Sequence, residues 1–302
     1  MRLNDWCIAF PGREALLKGL DDSFYNNYAI VKSLFDEASE YLKFNLKSTC
    51  YFGSFIEHEW QTICLVTHCY AIYQVISKMY GMPKVLSGYS QGEFTACTAA
   101  GVFSFPEVLG LIYNLEKLLN DEKTSDECMY RIVDIDIKTL EECCRKVDES
   151  GENICISAYI SETQNIVSGK KAYIDKVIRL AKDNGARWAI NLHSNKAYHS
   201  HLCNEAAIKA KQYFNNMMLS PVKISVYSCY DGEENRNESV LCNKLSKQIN
   251  HPIQWKKIIK NLVGHGVTEL LEIGPGCTVS ANSRIADTRM NCKWIGCIKD
   301  LW

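Results

Sequence analysis

The chain has 302 residues, of which 47% are hydrophobic and 23% charged, and a net charge of −1. That length and balance support a large buried core, one big domain or two unequal ones, and give no electrostatic reason to expect nucleic acid, since no Lys/Arg cluster stands out. Fifteen cysteines are scattered without a Cys-x-x-Cys, which argues against a zinc site or a thioredoxin-like motif, and the amino-terminal residues lack the apolar run of a signal peptide. No stretch is long and apolar enough to span a membrane, so a reduced cytoplasm is the expected compartment, with most cysteines acting as small hydrophobes.

In chain order, Trp6–Phe10 reads as a buried strand ended by Pro11-Gly12, and segments from about Asn27 to Leu42 and from Trp60 to Tyr80 carry helical periodicity. Val85 to Ser87 is a second strand. It runs into Gly88-Tyr-Ser-Gln-Gly-Glu93 and then Phe94–Ala100, a buried helix. Strand, sharp turn and helix put Ser90 at an apex where its hydroxyl stands clear of the backbone and the helix start offers amides to an oxyanion. A helix follows from about Pro106 to Leu119, and the polar stretch Asn120–Asp126 is expected to be a linker.

The pattern then changes. Met129–Ile135, Ile154–Tyr159, Gln164–Ser168 and Trp188–Leu192 read as strands, with helices at Leu140–Val147 and Tyr173–Lys182 between them. The order βαββαβ predicts a ferredoxin-like insert. From Ala197 the chain returns to the main unit, with helices at Ala206–Met217, Leu241–Gln248 and Trp255–Gly264 and strands at Ile224–Ser228 and Glu269–Ile273. The expected architecture is α/β, a large parallel-sheet, hydrolase-like core (1–126 and 197–302) with a small ferredoxin-like subdomain (127–196).

Six motifs in order resemble the malonyl-CoA:acyl-carrier-protein transacylase family, together with polyketide synthase acyltransferase domains and trans-acting acyltransferases. They are Phe10-Pro-Gly12, Gly88–Glu93 with Ala99-Ala-Gly101 and Ser104-Phe105, Ser161-x-x-Gln164-x-x-x-Ser168-Gly169, Ala197-Tyr-His-Ser200, Pro252-x-x-Trp255, and Glu272-x-Gly-Pro-Gly276. The resemblance implies Ser90 as nucleophile and His199 as base, with His193 and His201 as controls, and the backbone carbonyl near Gln248 orienting the imidazole. It implies an oxyanion hole from the backbone amides of Gln91 and Arg13. It implies no cofactor, coenzyme A or a phosphopantetheine thioester as substrate, an acyl carrier protein as partner, and a monomer.

Where the chain departs from the family bears on the substrate. The family has glutamine at Arg13, whose side chain could pair with Glu93, meet a phosphate or face water, the last being expected. Malonyl-specific members carry an arginine 25 residues after the serine, and that position here is Leu115. Lys117 is no ready substitute, because two residues along a helix is roughly 200° around it. A leucine leaves a buried carboxylate unpaired, which predicts an uncharged acyl group rather than malonyl. Tyr89 replaces a family histidine, Ala158, Ile160 and Glu162 replace polar or proline positions, and all agree with a less polar pocket; Tyr89 and Gln61 join Leu115 as expected pocket residues.

The expected activity is acyl transfer to a carrier protein through acyl-Ser90. The alternative is hydrolysis of acyl-carrier thioesters through the same intermediate. A general esterase of the α/β-hydrolase fold, using for example Asp231 and His265, is a third reading from another class.

Overall fold

A computed structural model describes residues 2–52, 58–121 and 126–301. In the first unit, β1 (Trp6–Phe10) leads through the short helix α1 (Ser23–Asn27), α2 (Ala29–Leu42), α3 (Leu46–Tyr51) and the long α4 (His58–Tyr80) to β2 (Val85–Gly88). Helix α5 (Gly92–Ala99) and α6 (Phe105–Asp121) follow. Of the expected linker Asn120–Asp126, Asn120 and Asp121 instead close α6, and 122–125 lie outside the described residues.

The inserted unit is β3 (Glu127–Val133), α7 (Ile137–Val147), β4 (Ile154–Tyr159), β5 (Gln164–Lys170), α8 (Lys171–Asp183) and β6 (Trp188–Asn191). The chain then forms α9 (Asn204–Asn215), β7 (Val226–Tyr227), β8 (Glu234–Asn235), α10 (Glu238–Lys247), α11 (Trp255–Gly264), β9 (Glu269–Ile273), α12 (Thr278–Ala286) and β10 (Asn291–Ile295).

The large sheet has the order β10-β9-β1-β2-β7-β8. Its neighbours are parallel except for the β7–β8 pair at one edge. Central β1 is buried at every residue, as a parallel strand covered on both faces must be, with Ile8 facing Leu86 on one side and Leu271 on the other. One face carries the main core of α2, α4, α5 and α6, including Phe10, Phe35, Ile72 and Leu109. The other carries Trp255, Ile258 and Leu262 of α11 with Val279 of α12.

The small sheet, β4-β5-β3-β6, is antiparallel throughout and packs Leu140, Ile174 and Val177 of its two helices into a core of its own. This is the βαββαβ arrangement read from the alternating apolar positions. Main-chain bonds stitch the two units together: Tyr159 N–H donates to Ile253 O at 2.8 Å, and Ile253 N–H to Ser157 O at 2.9 Å. The segment that leads into α11 therefore lies along the edge of the small sheet, bridged to β4 at Ala158 and Ile253. No described helix is long and apolar enough to cross a membrane.

Candidate active site

Ser90 sits between β2 and α5 with φ +55°, a left-handed conformation that costs a side-chain-bearing residue about 1–2 kcal/mol. Close packing holds it there. A Cβ on Gly88 would lie 2.1 Å from the carbonyl of Gly92, and one on Gly92 would lie 2.1 Å from Phe10 O. Only glycine lets the strand, the turn and the start of α5 approach this closely, so the two glycines are a condition of the serine's exposure to the cleft.

His199 is buried and likewise left-handed, with φ +59°. Its Nε2 is 2.8 Å from Ser90 Oγ, and its Nδ1 is 2.8 Å from the backbone oxygen of Gln248. A carbonyl can only accept, so Nδ1 carries the proton and Nε2 keeps the lone pair that faces the hydroxyl. Burial pulls the His199 pKa down to about 4, the Gln248 carbonyl pulls it back up in part, and the Arg13 cation pushes it further down. The imidazole is thus neutral at physiological pH and able to take the serine proton.

A second acceptor competes for that proton. Gln91 Oε1 lies 2.9 Å from Ser90 Oγ and 3.4 Å from the Arg13 amide nitrogen. The hydroxyl has one proton, and the imidazole lone pair is the stronger acceptor, so the serine donates to His199 while the Arg13 N–H donates to Gln91 Oε1. The Gln91 side chain occupies the space beside the serine that the Arg13 N–H faces. A carbonyl oxygen entering there must displace it.

Gln248 is anchored in turn. Its amide nitrogen donates to Glu93 Oε2, which also accepts from Cys229 N–H at 3.0 Å. Glu93 is fully buried, and burial pushes its pKa up to about 7 against the pull of Ser228, the Cys229 amide and Gln248. Sequence reasoning considered Glu93 as a partner for Arg13; the structure gives it to the Gln248 turn, on the far side of the serine.

The cleft at Ser90 encloses about 50 Å³. Its walls are Phe94, Ile112, Leu115, Leu119 and Ile249, and its polar groups come from Thr62, Ser90, Gln91, Glu116, Tyr198, His199 and Gln248. Leu115 faces the cavity as expected, whereas Lys117 is exposed with its Nζ 4.3 Å above the Tyr113 ring.

Other expectations need correction. Arg13 does not face water: its guanidinium is 15% exposed and pairs with Glu116 Oε1 at 2.5 Å, donates to Thr62 Oγ1 at 3.2 Å and to Tyr198 OH at 3.1 Å. Burial works against its charge, but Glu116 and the Tyr198 hydroxyl outweigh it and raise the pKa. Tyr89 is no pocket residue; its ring meets Trp255 edge-on at 5.6 Å in the core on the opposite face of the sheet. Gln61 is not among the cavity's lining residues; Thr62, one step of about 100° around α4, is. Ala158 and Ile160 are core residues and Glu162 an exposed partner of Lys256, so none of the three alters the polarity of the cavity. His193 and His201 are exposed, His265 bonds Tyr227, and Asp231 pairs with Lys244, so no second triad forms at Ser90.

The functional groups missed by sequence reasoning are Glu116, Thr62 and Tyr198. Tyr198 had a signal, its place in Ala-Tyr-His-Ser; Glu116 and Thr62 had none, because each belongs to a helix read for its apolar periodicity alone.

A serine on a strand-to-helix elbow with a neutral imidazole on its hydroxyl is the arrangement of an activated nucleophile. No family profile matches the chain. Among curated proteins it is 28% identical over 288 residues to the malonyl CoA-acyl carrier protein transacylase of Bacillus subtilis, spanning 93% of this chain and 90% of that one. It is 26% identical over 292 residues to the Escherichia coli K12 transacylase, spanning 95% and 94%. Among solved structures, an acyl carrier protein S-malonyltransferase from Vibrio cholerae superposes with a TM-score of 0.93 over 98% of both chains at 23% identity. A malonyl-transacylase solved in complex with a type II polyketide synthase acyl-carrier protein gives 0.91 over 98% and 97%, at 22% identity. Over nearly its whole length the chain is similar to malonyl-CoA:acyl-carrier-protein transacylases, and it shares the fold of the solved ones.

Proposed function

We propose that the protein transfers an uncharged, short acyl group from a thioester to an acyl carrier protein through acyl-Ser90. The observation that carries the chemistry is the relay from Ser90 Oγ to His199 Nε2 and from Nδ1 to the Gln248 carbonyl, at the mouth of an enclosed apolar cavity. In the first half, His199 accepts the hydroxyl proton as Oγ bonds to the thioester carbon. The carbonyl oxygen takes the place of the Gln91 side chain against the Arg13 and Gln91 amides. Collapse breaks the C–S bond, and the leaving thiolate takes the proton back from His199. In the second half the carrier's thiol gives its proton to His199, its sulfur bonds to the acyl carbon, and the ester bond to Oγ breaks as Oγ takes the proton back from His199.

Leu115 supports an uncharged acyl group, because a malonyl carboxylate against a leucine in an apolar wall loses its water without a counter-ion. The carrier protein as acceptor rests on the likeness to transacylases of that kind, and one structural neighbour is solved with such a partner. Incubation of purified protein with acetyl-loaded carrier and a second, unloaded carrier tests the reading. Acetyl appearing on the second carrier is the expected result; quantitative release of free acid with no transfer makes the protein a hydrolase instead.

A further inference from the structure

The cavity that holds Ser90 also holds a buried carboxylate whose position the acyl-group reading leaves unexplained. Glu116 is 3% exposed, lines the cavity next to Leu115, and lies on Arg13 Nη2 at 2.5 Å and on Thr62 Oγ1 at 2.6 Å. The guanidinium comes from the loop after β1, the same loop whose Arg13 N–H faces Gln91 beside the serine. Tyr198, the neighbour of His199, braces it from the side, with its hydroxyl 3.1 Å from Nη1 and its ring centroid 5.3 Å from Cζ. A planar cation whose partners Thr62, Glu116 and Tyr198 all line the cavity is a receptor for a carboxylate, and the protein fills it with its own.

We propose that Glu116 is the specificity gate of this site: its side chain occupies the anion position on Arg13, and so excludes carboxyacyl donors such as malonyl. This deepens the reading of an uncharged acyl substrate and rests on it. The physics is a competition. A donor carboxylate entering the cavity must share one guanidinium with a buried carboxylate that already holds it, and the two like charges lie close in a poorly solvated space. An acetyl group presents no charge and leaves the pair intact. Leu115 offers the cavity no cation, and Glu116 neutralises the one that Arg13 brings to its lining residues.

The gate is read from intact-mass kinetics of Ser90 loading by malonyl-CoA and by acetyl-CoA, taken as a ratio for each variant. Glu116→Gln keeps the volume and removes the charge, and should raise the malonyl-to-acetyl ratio by about ten-fold or more. Glu116→Ala should do the same with more space, and Arg13→Met combined with Glu116→Gln should return the ratio to the wild-type value. A ratio unchanged within about two-fold in both Glu116 variants overturns the gate, as does a gain that survives loss of Arg13. Should the Glu116 variants load nothing, calorimetric binding of malonyl-CoA to Ser90→Ala/Glu116→Gln and to Ser90→Ala replaces the kinetic ratio: tighter binding by the double variant supports the gate, and equal binding overturns it. Equal loading of the wild type by the two donors defeats the uncharged-acyl reading on its own; the gate is judged from the change on substitution.

Discussion

His199 meets Ser90 with its proton on the side away from the hydroxyl, which sets the pH dependence expected of acyl loading. The reactive form is the neutral imidazole, and burial, with Arg13 adding to it, holds its pKa near 4 rather than at the ordinary 6.5. Single-turnover loading of Ser90 should therefore stay flat with respect to this group from pH 7 down to about 5 and fall below about 4. An acid limb centred near 6.5 would show that the imidazole is ordinarily solvated. Glu93, held up near 7 by burial, titrates inside the same range through its grip on the Gln248 amide. Any inflection near 7 that Glu93 causes should vanish in Glu93→Gln, while the low limb remains. Replacing His199 by alanine should slow loading by about 10²- to 10⁴-fold, and His265→Ala, at a residue that meets Tyr227 and Glu234 away from the cavity, should leave it unchanged. At this scale the sequence was legible where motif and geometry coincide, at Ser90, His199 and the Gln248 carbonyl. It was silent on Arg13 and Glu116, because an ion pair between a loop and a helix 103 residues apart leaves no periodicity.

The elbow is the element on which the site depends. It packs β1, β2 and the start of α5 so tightly that Gly92→Ala places a methyl carbon 2.1 Å from Phe10 O. Backbone cannot yield as a side-chain tip can, so this substitution should cost on the order of 3–5 kcal/mol, read by urea denaturation, and should abolish loading even in whatever fraction still folds. An alanine variant of near-native stability would mean that the turn is looser than it is drawn here. The strong elements were readable from sequence: β1 is uniformly apolar because both of its faces are covered, α6 carries a stripe that faces the core, and α4 is buried nearly all round from Thr62 to Ile76. The edge elements were not. β10 reads Asn-Cys-Lys-Trp-Ile with three exposed residues and pairs on one side only with β9, and α12 spells Thr-Val-Ser-Ala-Asn-Ser-Arg-Ile-Ala, too polar to announce a buried helix. In α12 the polar residues are consumed locally: Glu272 accepts from the Val279 and Ser280 amides at 3.1 and 2.7 Å, satisfying the start of the helix from the end of β9.

Across the whole molecule, the main core buries a second histidine remote from Ser90. His68 is 1% exposed, bonds Tyr51 OH at 3.0 Å, and burial holds its pKa at about 4 against an unfolded value of 6.5. Its folded pKa is depressed, so the unfolded chain takes up the proton first as pH falls. The stability that depends on a neutral His68 is whole above 6.5 and lost between 6.5 and 4, an amount on the order of 3 kcal/mol. Relative to its own stability at pH 7, wild type should lose about that much more by pH 4 than His68→Phe does, measured by chemical denaturation at each pH. Parallel pH profiles for the two would remove His68 from the balance. The two units meet through the Ala158–Ile253 bridge, and the acyl cavity lies in the large one beside that junction, bounded by α4, α5 and α6 with His199 brought in from the returning chain. The account turns on what Ser90 accepts there. Intact mass spectrometry of the wild type and of Ser90→Ala after exposure to equal acetyl-CoA and malonyl-CoA should find the acetyl adduct on the wild type, faster than the malonyl adduct, and neither on the variant. A malonyl adduct forming as fast as the acetyl one, or an acetyl adduct that persists in Ser90→Ala, would contradict it.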